Sequence, residues 1–147
     1  MTSSIDLEHL AIRNKIHLNG IYPKDLFPKK VKAGGYIINL ENHDEGDGTH
    51  WTALWIEENK HAIYFDSFGI IFPEFVHTLN IKKPILYNTQ DIQDINDGHC
   101  GQYSIFFLWF MQNSKKSTIQ KFHEFVSLFS KDPHENLKLL KKYLRQI

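Results

Sequence analysis

The sequence predicts one α+β domain spanning residues 1–147. In the middle of the chain, "WTALWIEENKHAIYFDSFG" places two short runs of β-formers around a polar turn. Further on, "CGQYSIFFLWF" is apolar on every side of a helical wheel, the pattern of a buried helix. Two amphipathic helical segments then end the chain, so strands and helices are segregated rather than alternating.

In order along the chain, "SSIDLEHLAIRN" predicts a helix with Ser4 as N-cap and Leu7, Leu10 and Ala11 on one face. "GIYPKDLFPKKVKAGG" is punctuated by Pro23, Pro28 and a Gly34-Gly35 pair, and predicts loop and turn. "YIINL" (36–40) reads as a strand and "ENHDEGDGTH" (41–50) as a polar loop. Trp51 to Ile56 and His61 to Phe65 form the hairpin, apolar at nearly every position, as expected of central strands covered on both faces. "KPILYN" (83–88) is a further short strand. In the helix after Cys100, Ile105, Leu108 and Trp109 share one face, with Phe106, Phe107 and Phe110 on the others. "STIQKFHEFVSLFS" carries a stripe of Ile119, Phe122, Val126 and Phe129. "DPHENLKLLKKYLRQI" starts with Asp132 as N-cap and Pro133 at the first helical position.

Bulk composition excludes several classes. Lys and Arg number 17, as do Asp and Glu, so no overall field argues for nucleic acid or a membrane surface. The single cysteine rules out an intrachain disulfide and a multi-cysteine zinc site, and suits a reducing, intracellular compartment. The polar start "MTSSIDLEHLAIRNK" does not read as a secretory signal, and the longest apolar run, Ile105 to Met111, is too short to span a bilayer.

That cysteine, Cys100, sits where a helix is expected to begin. The positive end of the helix dipole favours a thiolate there. Gly98 would permit an unusual turn, and Gly101 would leave room for a substrate carbonyl near the Cys100 N–H. The alternative is a buried packing cysteine. A nucleophile needs a base, and nine histidines compete for the role. His99 is adjacent, but neighbouring side chains diverge. His50 precedes the first hairpin strand and Asp66 ends the second. A turn centred near Glu58–Asn59 brings positions 50 and 66 level to within about one residue, so Asp66 can orient the imidazole. A surface His–Asp pair on a hairpin rim is the plainer reading. "HDEGDGTH" offers His43, Asp44, Glu45 and His50 to a metal, although its glycines and acids fit a solvated loop better. The lysines of "LKLLKKYLR" fit a solvated helix face. Gln93 is either a loop residue or an amide donor to an oxyanion.

Together these residues resemble the clan of cysteine peptidases shared by adenovirus proteases and ubiquitin-like-protein-specific proteases. The matching elements are "GTHW" (48–51), "YFDSFG" (64–69) and a glutamine, Gln93, spaced as Gln-x6-Cys ahead of "CG" (100–101). "GIYPKDLFP" (20–28) adds a segment similar to that upstream of the family histidine. The resemblance covers roughly residues 15–110 and is strongest to the adenovirus maturation protease, or adenain-like, branch. It implies a papain-like fold, a central, mostly antiparallel sheet packed on a buried helix that starts at the catalytic cysteine, with C-terminal helices flanking it. It implies Cys100 as nucleophile, His50 as general base, Asp66 as its orienter and Gln93 as oxyanion donor, with Trp51 walling a narrow cleft. The acid is Asp where adenoviral members carry Glu. With no second cysteine, the disulfide by which a peptide activator joins some members cannot form here, and the shorter chain leaves the peptide- and DNA-activator surfaces in doubt.

The expected function is a viral or virus-like maturation protease. It would process capsid or core precursors at small, Gly-containing sites inside the infected cell, in cytoplasm or nucleus, and be packaged in the virion. The expectation is a monomer with a polypeptide substrate, no cofactor, no metal and no membrane. Alternatives are an isopeptidase for ubiquitin-like modifiers, an acyltransferase, and a non-catalytic binding module on the same fold.

Overall fold

The computed structural model describes residues 2–44 and 50–144. Glu45, Gly48 and Thr49, which belong to two of the motifs above, lie outside the described residues. The elements in order are helix α1 (Ser4–Arg13), strands β1 (Leu18–Pro23), β2 (Gly34–Asn39), β3 (Trp51–Ile56) and β4 (Ala62–Phe65), helix α2 (Glu74–His77), strand β5 (Leu86–Tyr87), and helices α3 (Cys100–Asn113), α4 (Thr118–Ser127) and α5 (Pro133–Tyr143). The fold is α+β.

The five strands form one sheet in the order β1-β2-β3-β4-β5. β2–β3 and β3–β4 are antiparallel, whereas β1–β2 and β4–β5 are parallel. The sheet is therefore mixed, where a mostly antiparallel one was expected. β1 is also a correction: Gly20 and Pro23 read as loop, yet the segment runs along the sheet edge. An edge strand tolerates proline because one side of its backbone has no ladder to complete.

The central strands β3 and β4 are apolar at every position but Thr52 because both faces are covered. Ile37, Trp51, Ala53, Ile63 and Phe65 point to one core with α1, α3, α4 and α5. Tyr36, Ile38, Leu54, Ile56, Ala62 and Tyr64 point to a second, closed by Phe27, Val31, Val76, Leu79, Ile81 and Ile85. α3 lies in the first core, where Phe107 stacks on Phe65 with centroids 5.2 Å apart.

Helix ends follow local chemistry, with small differences from expectation. The N-cap of α1 is Ser3, not Ser4, in a capping box with Asp6. Asp132 caps α5 by accepting the His134 N–H, with Pro133 in the first turn. In α4 the buried residues are Lys121 and Phe125, while Ile119 is exposed. Phe122, Val126 and Phe129 of the expected stripe pack on the first core, and only Ile119 lies off it. Lys121 adds a polar member to the buried face, its ammonium turning inward to Glu57 of the hairpin turn at 3.2 Å and to the Met111 carbonyl at 3.4 Å.

Candidate active site

The hairpin builds the first part of the site. The Lys60 N–H donates to the Glu57 carbonyl and the Glu57 N–H to that of His61, while Lys60 lies at φ 74°. This is a three-residue loop, a turn followed by a left-handed residue. It sets the register Ala53↔Phe65 and Leu54↔Tyr64. Continued outward, that register places Asp66 opposite Thr52, two residues from His50 rather than the expected one. The side chains still meet, because diagonal neighbours on a sheet lie within reach of long side chains. The His50 Nε2–H donates to Asp66 Oδ1 at 2.8 Å.

Asp66 is held with little freedom. Its carbonyl accepts the Gly69 N–H at 2.8 Å, closing a turn over residues 66–69, and the Phe68 N–H donates to Asp66 Oδ1 at 2.8 Å. Gly69 takes φ 73°, and a Cβ there would lie 2.6 Å from the Thr89 carbonyl oxygen. The turn thus requires glycine. The Phe68 ring lies on the imidazole, with centroids 4.9 Å apart. Asn88, which the sequence reading did not single out, clamps the Asp66 backbone from β5. Its Oδ1 accepts the Asp66 N–H at 3.1 Å and its Nδ2 donates to the Asp66 carbonyl at 2.7 Å. An Asn directly after a strand is a weak signal, since loops favour it for other reasons.

Cys100 is the first residue of α3, so its sulfur stands at the positive end of the helix. The thiol is 7% exposed. The Trp51 backbone N–H donates to Sγ at 3.4 Å, and the Ser104 hydroxyl links the Cys100 and Trp51 carbonyls at 2.9 and 3.2 Å. The start of the helix is thereby tied to the start of β3, where His50 lies. His99 turns away: its N–H and its ring both go to Asp97.

Electrostatics join the two parts. Burial alone would depress the His50 pKa, but the Asp66 hydrogen bond and then the Cys100 sulfur outweigh it and raise it to about 9. Nδ1, the other ring nitrogen, is buried and has no hydrogen-bond partner among the described residues. These contacts favour the imidazolium form, with Nε2 on a carboxylate. Such a group can hold a thiolate and later give up a proton.

Gln93 is also buried. Its Oε1 accepts the Ser67 hydroxyl at 2.5 Å, and its Nε2 donates to the Asp97 carbonyl, in the loop leading to Cys100.

Three glycine and tryptophan expectations need correction. Trp51 is 4% exposed, and its indole N–H donates to the Thr2 carbonyl at 3.2 Å, so the ring is core rather than cleft wall. A Cβ on Gly101 would lie 2.8 Å from Leu7 Cδ2 and 3.3 Å from Trp51 Cδ1. The missing side chain makes room for Leu7 of α1. Gly98 is not among the positive-φ glycines, and a Cβ there would meet nothing within 4 Å. The two histidines of the acidic loop separate. His43 bonds Asp25 and, with Asp44, forms an exposed group of three whose ligand atoms lie within 4.8 Å of one another, while His50 faces Asp66. Exposed acidic groups of that kind are common without an ion.

No family model matches the chain. Among curated proteins, the chain is similar to the protease of ovine adenovirus D serotype 7 (isolate OAV287), with 32% identity over 162 residues, covering 90% of this chain and 79% of that protein. It is also similar to the protease of bovine adenovirus 7, with 26% identity over 147 residues, covering 82% and 72% respectively.

Proposed function

We propose, for a chain that belongs to the adenovirus protease family, a cysteine endopeptidase in which Cys100 is the nucleophile, His50 the proton carrier and Asp66 its orienter. One observation carries the reading. A single imidazole is bonded through Nε2 to a buried carboxylate at 2.8 Å, and the helix-terminal Cys100 sulfur is among the groups that favour its cationic form.

The chemistry follows from that order of groups. The Cys100 thiolate attacks the scissile carbonyl carbon, and the carbonyl oxygen takes up the negative charge. The Cys100 N–H, freed by the helix terminus, and a Gln93 Nε2–H stabilise that oxyanion. The His50 imidazolium passes the Nδ1 proton to the leaving amine, and the C–N bond breaks to give the acyl-enzyme. Neutral His50 then takes a proton from water, which attacks the thioester and frees the thiol. Asp66 keeps the ring in one tautomer and stabilises its cationic form. The substrates are capsid or core precursor polypeptides, cut at small, Gly-containing sites in a reducing compartment of the infected cell. The slight exposure of the thiol favours small side chains there.

A peptide vinyl sulfone ending in glycine tests the assignment. It should alkylate the wild-type thiol and leave Cys100→Ala unlabelled, while His50→Ala should react far more slowly. Labelling at wild-type rate in His50→Ala would remove His50 from the mechanism. A capsid-precursor peptide run against a Gly-Gly modifier fusion then identifies the substrate class, and faster cleavage of the fusion would overturn the viral-precursor reading.

A further inference from the structure

We propose that Ser67 is a positioning residue for the oxyanion donor, holding the Gln93 amide in the one orientation that leaves an N–H free for the substrate oxygen. This rests on the cysteine-peptidase reading above and adds to it a residue that no step of the reaction touches directly.

The geometry decides which way the amide faces. A terminal amide torsion is soft, so a glutamine side chain has two orientations of nearly equal strain. The Asp97 carbonyl can only accept, so the Gln93 atom against it is Nε2. Oε1 is then the atom that meets Ser67 Oγ, and the hydroxyl must donate. Of the two Nε2 hydrogens, one is used by Asp97 and the other remains. The Ser67 carbonyl also accepts the Ile92 and Gln93 N–H groups, at 2.8 and 3.2 Å, so one residue holds both the backbone and the side chain of the donor. Ser67 is fully buried, which shields its hydroxyl from bulk solvent.

Without the hydroxyl, Oε1 is a buried acceptor with no donor, a state that costs about 1–3 kcal/mol. The amide is then held from one side only, by the Asp97 carbonyl, and is freer to swing about that contact. Such a swing redirects the remaining Nε2 hydrogen, the one the proposal assigns to the substrate oxygen. Ser67 also directly follows Asp66 in the same turn, so one short segment orients both the acid behind His50 and the Gln93 amide.

The experiment compares Ser67→Ala, Gln93→Ala and the double variant with wild type in three assays. These are peptide hydrolysis, inhibition by a peptide aldehyde ending in glycinal, and alkylation by iodoacetamide. In the aldehyde complex sulfur bonds to the carbonyl carbon and the oxygen, protonated by the imidazolium, occupies the oxyanion position. In alkylation sulfur displaces iodide from a CH2 group and no oxyanion forms. Ser67→Ala should lower kcat and weaken the aldehyde by about tenfold, with KM and the alkylation rate within about twofold of wild type. In the Gln93→Ala background, Ser67→Ala should change neither, because its effect passes through the amide. The inference is overturned if aldehyde affinity is unchanged in Ser67→Ala, if it falls in step with the alkylation rate, or if the two substitutions are additive. A wild-type protein that neither cuts peptide nor binds the aldehyde would instead remove the peptidase reading, and this inference with it.

Discussion

The His50 Nε2–H and the Phe68 backbone N–H converge on one oxygen, Asp66 Oδ1, each at 2.8 Å. The carboxylate thus has its turn and its histidine partner built from the same atom. Asp66→Asn keeps that shape and removes the charge. The variant should fold, should lose kcat by at least about 10²-fold with little change in KM, and should show a His50 pKa well below the wild-type value of about 9 in an NMR titration. A kcat within a few-fold of wild type would leave Asp66 as a structural residue.

The raised His50 pKa predicts two alkaline effects with one cause. Loss of the imidazolium proton removes the acid that expels the leaving amine, so kcat/KM should fall above about pH 9. Stability follows the same group. Its folded pKa lies above the usual 6.5, so the stabilisation is complete below pH 6.5 and is lost as pH rises through about 9. Denaturant unfolding of wild type and His50→Gln between pH 6 and 10 checks this. The gap between the two should narrow toward high pH, and a gap that widens would reverse the sign.

Asn88 reaches the site only through the Asp66 backbone. Asn88→Ala leaves the buried Asp66 N–H without its acceptor and its carbonyl with the Gly69 N–H alone, so unfolding free energy should drop by about 1–3 kcal/mol. The turn it holds also aims the carboxylate, so kcat should fall by about tenfold in the folded fraction. Asn88→Asp should be worse on both counts, since a carboxylate cannot donate to the Asp66 carbonyl and repels the Asp66 charge. Loss of stability with full kcat in the folded fraction would restrict Asn88 to folding.

How much of this was legible in the sequence depended on whether one local pattern carried the signal. The hairpin, the helix after Cys100 and the cap at Asp132 each rest on contiguous residues, and each lies where its residues predict. The hairpin register slipped by one because the left-handed Lys60, which adds a loop residue, does not look different from any other lysine. β1 was hidden because edge position, not composition, makes Pro23 acceptable. The apolar stripe of α4 is legible in Phe122, Val126 and Phe129, but the burial of Lys121 is not, because it counts as polar in any periodicity and a carboxylate 64 residues earlier in the chain draws it inward. In the site, His50 and Asp66 were readable because a hairpin joins them. Ser67, Asn88 and the Asp97 carbonyl act through contacts between separate segments, which spacing alone does not reveal.

The glycines separate packing from substrate contact at the mouth of α3. Gly69→Ala forces a side chain into a left-handed turn against the Thr89 backbone, which cannot retreat, and should cost at least about 1–3 kcal/mol. Gly98→Ala points into open space and should stay within about 0.5 kcal/mol of wild type. Gly101→Ala is the informative case. Its methyl would press on Leu7 Cδ2 in the core, so the cost should be about 1–3 kcal/mol from overpacking, with KM for a peptide substrate unchanged. Leu7→Val removes the colliding atom and should recover part of that loss in the double variant. Thermal unfolding and steady-state kinetics together distinguish the two roles. A raised KM with unchanged stability would return Gly101 to the substrate cleft, whereas rescue by trimming a residue of α1 can arise only if the glycine packs against the core.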